Sequence, residues 1–197
     1  IFGVQMTDVN PSREDLTDLV AAAKAGDRPA FEKLVRETYA ETYTLARRLL
    51  GNEEDAKDVV QEAYLRAWKS IGRFRGDAQF STWMYRITAN AAYTLSAKNK
   101  RQQTSSMDDF SEIVETRAEA MPEADVESSN AELQAALQQL PEKFRMVIVL
   151  KDIYDLPHYE IAEQLGSSEA AAKVRLHRAR KALRDILYQD GSQANAV

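Results

Sequence analysis

Residues 74–90 read Phe74-Arg-Gly-Asp-Ala-Gln-Phe-Ser-Thr-Trp-Met-Tyr-Arg-Ile-Thr-Ala-Asn90. The Gly76-Asp77 break predicts a sharp turn, after which Asp77 or Ser81 can accept the free amide protons that open a helix. That helix runs from about Phe80, with Phe80, Met84, Ile87 and Ala91 spaced by threes and fours as a buried stripe. Trp83, Arg86, Asn90 and Tyr93 recur at helical spacing on a second face. Rings to stack on, a cation for phosphate and a carboxamide for a base edge are what the capture of unstacked bases requires. Any one of these residues alone reads as core or solvated surface. Together, and followed by Lys98, Lys100 and Arg101, they point to nucleic acid.

Outward from this stretch, charge is segregated. The 197-residue chain carries 26 Lys and Arg against 31 Asp and Glu, a net charge of −5. From Tyr64 to Arg101, however, eight basic residues face the single acid Asp77, and from Ala170 to Arg184 six face none. Acids gather between Ser105 and Leu133, nine against Arg117 alone. A polyanion would meet two positive patches joined by a negative tether, and local field rather than net charge governs such encounters. The length suits one large or two small domains.

On the N-terminal side, Ser12 with Asp15 reads as a capping box for a helix carrying Leu16, Leu19, Val20 and Ala23, ended by Gly26. A second helix is expected from about Arg28 through Leu50, burying Phe31, Leu34, Val35, Tyr39, Tyr43, Leu45, Ala46 and Leu49. Asn52 with Asp55 caps a third, in which Val59, Val60, Ala63, Tyr64, Ala67 and Trp68 face inward. Glu53, Glu54 and Asp55 meet the positive end of its dipole. Asp55, Asp58, Gln61, Glu62 and Arg66 form its outer face, which by composition alone is a solvated charged surface.

On the C-terminal side, residues 102–126 lose periodicity and read as a flexible acidic linker. Helical spacing returns with Leu133, Ala136, Leu137 and Leu140. Pro141 opens a helix burying Phe144, Val147, Ile148, Leu150 and Ile153, and Pro157 a short one with Ile161, Ala162 and Leu165. Gly166-Ser-Ser then turns into a long basic helix with Ala172, Leu176, Ala179, Leu183 and Ile186 inside. A short helix, a glycine turn and a basic helix make a helix-turn-helix pattern.

The Phe74–Asn90 string resembles the minus-10 reading segment of the extracytoplasmic-function sigma factors of the sigma-70 superfamily. Leu137-x-x-Leu140-Pro141-x-x-x-Arg145, Tyr159-Glu160-Ile161-Ala162 and Arg175-Leu-His-Arg-Ala-Arg180 resemble that family's minus-35 reading domain. The resemblance implies an all-α fold of two small helical domains. Residues 7–101 would be a sigma-2-like bundle for polymerase docking and minus-10 melting, residues 102–126 the linker, and residues 127–189 a sigma-4-like helix-turn-helix. It implies a transcription initiation factor that binds core RNA polymerase through the beta-prime clamp helices and beta flap, reads promoter DNA for a stress or signal regulon, and answers to a cognate anti-sigma factor.

Residue by residue, the resemblance implies minus-10 contacts at Arg75, Phe80, Trp83, Arg86, Asn90, Tyr93, Lys98, Lys100 and Arg101. Minus-35 contacts would fall on Ser168, Glu169, Ala171, Lys173, Arg175 and Arg178, and clamp contacts on Asp55, Asp58, Gln61 and Glu62. The linker would thread toward the RNA path, where Asp108, Asp109, Glu112 and Glu115 could imitate a nucleic-acid backbone. Two departures stand out. The family usually has Gly-Thr-Val-Lys-Ser at the start of the recognition helix; here Ala170-Ala-Ala-Lys-Val174 lacks the hydroxyls at Ala171 and Val174, removing two phosphate or base contacts. Ser96 and Ala97 stand where arginines are common.

Other chemistry is not signalled. There is no cysteine, hence no disulfide or thiolate metal site, which suits the cytoplasm. Neither a membrane span nor a signal-peptide pattern is evident; residues 1–5, before Met6, are left out of the reading. No glycine-rich phosphate loop, His-Glu-x-x-His or Gly-x-Ser-x-Gly occurs, and His158 and His177 lie on different helices, so neither an enzyme nor a cofactor is expected. A stand-alone helix-turn-helix regulator would leave the Phe74–Asn90 string and the acidic linker unexplained.

Overall fold

The computed structural model describes the backbone of residues 13–105 and 125–194 and the side chains of residues 16–99 and 131–188. Eight α-helices follow one another among the described residues: α1 (Arg13–Lys24), α2 (Arg28–Leu50), α3 (Glu53–Ser70), α4 (Phe80–Ser105), α5 (Asp125–Gln139), α6 (Glu142–Ile148), α7 (His158–Gln164) and α8 (Glu169–Ala194). A 3-10 turn (Ile71–Arg73) follows α3, and a π-helical segment (Val149–Ile153) continues α6. The fold is all-α, in two helical clusters, α1–α4 and α5–α8. No described helix is long and apolar enough to cross a membrane. The Ser12 cap and the acids of 106–124 lie outside the described residues.

Local chemistry sets the ends of α2 and α3. Asp27 accepts from the Ala30 amide at 3.1 Å, and the Gly51 amide donates to the Arg47 carbonyl at 2.9 Å. Gly51 has φ 84°, a conformation in which any side chain is strained. Asn52 caps α3, its Oδ1 accepting from the Asp55 amide at 2.7 Å, while its Nδ2 donates to Asp55 Oδ2 at 2.7 Å; the carboxylate thus meets the cap's side chain rather than the backbone amide that a capping box uses. At α4 the expected cap is replaced. The Trp83 amide donates to the Gln79 carbonyl, and Asp77 pairs with Arg75 at 3.2 Å.

Packing corrects the expected inner faces at three positions. Tyr39 is exposed, stacked on Tyr43, while Thr38 and Thr42 are buried in its place. Their hydroxyls are satisfied inside: Thr38 donates to the Leu34 carbonyl (2.7 Å), Thr42 to the Thr38 carbonyl (2.8 Å), and both bond the Tyr64 phenol. A buried hydroxyl with every partner in place costs little, so threonines fill the narrow space between α2 and α3. Trp68 is also on the surface, its ring 4.9 Å from that of Phe31. Ile87 is only partly buried, with Thr88 and Ala89 taking the interior of α4.

The C-terminal cluster closes on the first. Leu137, Leu140, Val147 and Leu150 join the same continuous core as Leu34, Leu45 and Met84. Gly51 is pressed against Gln138, whose amide donates to the Arg48 carbonyl at 3.1 Å; a Cβ on Gly51 would overlap the Gln138 carboxamide. Next to this contact the wider π turn re-aims Tyr154. Its ring lies 4.6 Å from that of Tyr85, and its hydroxyl accepts from Arg48 at 3.2 Å.

Candidate nucleic-acid interface

The turn of residues 74–79 is built by Gly76, whose φ of 80° favours glycine, and by Lys24, whose ammonium donates to the Phe74 carbonyl at 2.8 Å. Phe74, Phe80 and Trp83 pack ring on ring, with centroids 5.0–6.2 Å apart. Phe74 and Phe80 are buried, Phe80 as expected of the inner stripe of α4, and Phe80 braces the loop against the bundle. Between α1 and the loop opens a cavity of about 570 Å³, lined by Leu16, Val20, Lys24, Arg75, Gln79 and Phe80 among others. That is within the range of pockets that hold a small planar molecule.

Along α4, Trp83 and Tyr93 are half-buried and Asn90 and Lys98 exposed. Arg86 is engaged: it meets Glu160 of α7 at 2.5 Å, and the Tyr159 hydroxyl donates to the same carboxylate at 3.0 Å. The stripe is therefore a single face whose cation is shared with the C-terminal cluster. The side chains of Lys100 and Arg101 lie outside the described residues.

In the helix-turn-helix, Gly166 turns with φ 56°, and Ser168 caps α8 by accepting from the Ala171 amide at 3.2 Å. Ser168 thus has an intramolecular role. Glu169 pairs with Lys173 at 2.7 Å, and the Glu169 carboxyl is lowered by the hydrogen bond and charge of that lysine. Arg175 donates to Ser167 at 3.3 Å, and Arg180 is held by Asp152. Arg178 and Lys181 are exposed, with no intramolecular partner among the described residues.

On α3, Asp58, Gln61 and Glu62 are exposed on one face; Asp55 serves the cap, and Glu62 pairs with Arg66 at 2.6 Å. Leu65 lies on the same face, 48% exposed, and Trp68 follows a turn later at 37%. Neither was expected there. The signal was available for Leu65, an apolar residue four positions after Gln61 and outside the Val60-Ala63-Tyr64-Ala67 stripe.

A helical bundle with a ring-lined loop pocket, joined to a helix-turn-helix with free cations, defines a two-part DNA-binding protein. Residues 34–102 match the family description Sigma-70 region 2, and residues 130–183 match Sigma-70, region 4. The chain is 34% identical to the ECF RNA polymerase sigma factor SigE of Mycolicibacterium smegmatis, over 96% of this chain and 76% of that one. It is 36% identical to ECF RNA polymerase sigma factor SigW of Bacillus subtilis, over 85% and 94%. Among solved structures, CnrH in complex with the cytosolic domain of CnrY superposes with a TM-score of 0.59 at 27% identity, over 89% of this chain and 99% of that one. The chain belongs to the extracytoplasmic-function family of sigma-70 type sigma factors. It is accordingly a non-catalytic transcription initiation factor that binds core RNA polymerase and promoter DNA.

Proposed function

We propose that residues 7–101 and 127–189 divide promoter recognition between them. The loop of residues 74–79 and α4 open the minus-10 element and hold its non-template strand, with one extruded base in the cavity beside Arg75 and Gln79. Trp83, Asn90 and Tyr93 then take neighbouring bases, and Arg86 and Lys98 the backbone. No ATP is needed, because binding of flipped bases offsets the lost stacking. The observation that carries this reading is the cavity of about 570 Å³ at the head of a face of rings, amide and cations.

Helix α8 reads the minus-35 duplex, with Arg178 foremost among its phosphate or base contacts. The exposed Asp58, Gln61 and Glu62 of α3 dock on the beta-prime clamp helices, and the C-terminal cluster meets the beta flap. A cognate anti-sigma factor silences the chain until a stress or another signal releases it; the similarity to CnrH, solved with the cytosolic domain of CnrY, supports a partner of this kind. Run-off transcription with core RNA polymerase over a library of bacterial promoters tests the whole. Transcripts sharing two upstream elements are expected, and their absence would overturn the reading. Within it, Arg178→Ala is expected to weaken upstream binding and flatten the log affinity against log salt slope by about 0.9.

A further inference from the structure

Val174 is the large apolar residue on the outer face of α8, between the small Ala170 and Ala171 and the cations Arg178 and Lys181. The buried side of α8 is set by Ala172, Leu176 and Ala179, all under 5% exposed. At 3.6 residues per turn, Val174 points directly away from that side, and it is 52% exposed. Ala170 and Ala171 lie one turn before it, Arg178 and Lys181 one and two turns after it. Lys173, Arg175 and Arg180 are drawn aside to Glu169, Ser167 and Asp152. Arg178 and Lys181 have no partner among the described residues and continue the face beyond Val174 as exposed cations. Neither packing nor helix propensity accounts for a β-branched residue here, since it fills no core and valine is a poorer helix former than alanine.

Resting on the proposed minus-35 reading, we propose that Val174 determines specificity for a thymine, its methyls packing on the C5-methyl group in the major groove. The early residues of a recognition helix are those that reach base edges. A valine can neither give nor take a hydrogen bond. Set against the amino group of cytosine or adenine, or the O6 of guanine, it would strip water from a polar group and return nothing. The C5-methyl of thymine is the one apolar group that the major groove displays. Ala170 and Ala171, equally without polar side-chain atoms, leave room for that approach.

The test uses the full chain bound to bacterial core RNA polymerase. The upstream element is first selected from a random-sequence duplex library, and each thymine in it is then replaced by deoxyuridine, which removes only the methyl. One replacement is expected to lower affinity about fourfold, the equivalent of about 0.8 kcal/mol for one buried methyl-sized group. Val174→Ala should bind the thymine and uracil duplexes alike at that position. A wild-type complex indifferent to every replacement, or a Val174→Ala complex with unchanged sensitivity, would overturn this proposal while leaving minus-35 recognition standing. A selection that enriches no upstream element would overturn minus-35 recognition itself, and this proposal with it.

Discussion

The Arg86 guanidinium on α4 is paired at 2.5 Å with the Glu160 carboxylate on α7, and the Glu160 side chain is only 8% exposed. The cation proposed for the minus-10 backbone is thus held by the helix-turn-helix cluster. Strand capture and this pair are expected to compete for one guanidinium. Glu160→Gln is expected to raise the affinity of the isolated chain for single-stranded DNA several-fold and to steepen its log salt slope by about 0.7 per added phosphate contact. Arg86→Ala, which leaves a largely buried carboxylate with the Tyr159 hydroxyl but without its cation, should lower stability by about 1–3 kcal/mol in urea titration, more than Glu160→Gln does. Equal single-strand affinity for wild type and Glu160→Gln would show that the pair does not compete.

Gly51 closes α2 and touches Gln138 of α5. Gly51→Ala meets both a strained backbone at φ 84° and an overlap with the Gln138 carboxamide. A loss of about 1–3 kcal/mol is expected in thermal or urea unfolding. Gln138→Ala alone loses its bond to the Arg48 carbonyl, and measured against that variant Gly51→Ala should cost only the part due to the backbone.

Docking on core polymerase is expected to run through α3. Asp58 is exposed, so Asp58→Arg should leave the circular dichroism spectrum intact while reversing charge on the proposed clamp contact. Co-purification with core polymerase should fall. Retention at the wild-type level would place the docking surface elsewhere.

Asn90 is expected to separate promoter opening from plain DNA binding. It is exposed on the same face as Trp83 and Arg86, and its carboxamide can give and take hydrogen bonds with the Watson-Crick edge of an extruded base, an edge that duplex DNA hides. Asn90→Ala is expected to lose about 1–3 kcal/mol of discrimination at one minus-10 position, with upstream binding unchanged. Open-complex yields on a normal template and on one mismatched at the minus-10 element give the comparison. Wild-type yield and base preference on both would assign Asn90 to solvent.

Alkaline pH should unfasten the joint between the clusters. Burial pushes the Tyr85, Tyr154 and Tyr64 phenols up from 10.0, and the neighbouring Glu41 raises Tyr85 further. Each folded-state pKa lies above the unfolded one, so the contribution is intact below pH 10.0 and lost as pH rises through the folded values. Urea midpoints measured between about pH 9 and 12 should fall, and Tyr85→Phe should flatten that fall. An identical pH dependence in the variant would exclude Tyr85 as a source.

Helix limits were legible because they are local. Gly51 ends α2, Asn52 opens α3, and Gly166-Ser-Ser turns into α8 through hydrogen bonds spanning three or four residues. The stripe of α3 apart from Trp68, and that of α8, followed from spacing, and the two positive patches from the segregation of charge along the chain. The choice of threonine over tyrosine inside α2 was not legible, because it depends on the phenol of Tyr64, 22 and 26 residues away. Nor was the partner of Arg86, 74 residues distant. Periodicity tells which side chains share a face, whereas burial of a polar atom turns on whether another segment brings it a hydrogen bond. The packing of α2 on α3 supplies the phenol that Thr38 and Thr42 need, the packing of α1 on the loop of residues 74–79 makes the cavity beside Arg75, and the closing of the two helical clusters on each other brings Glu160 to Arg86.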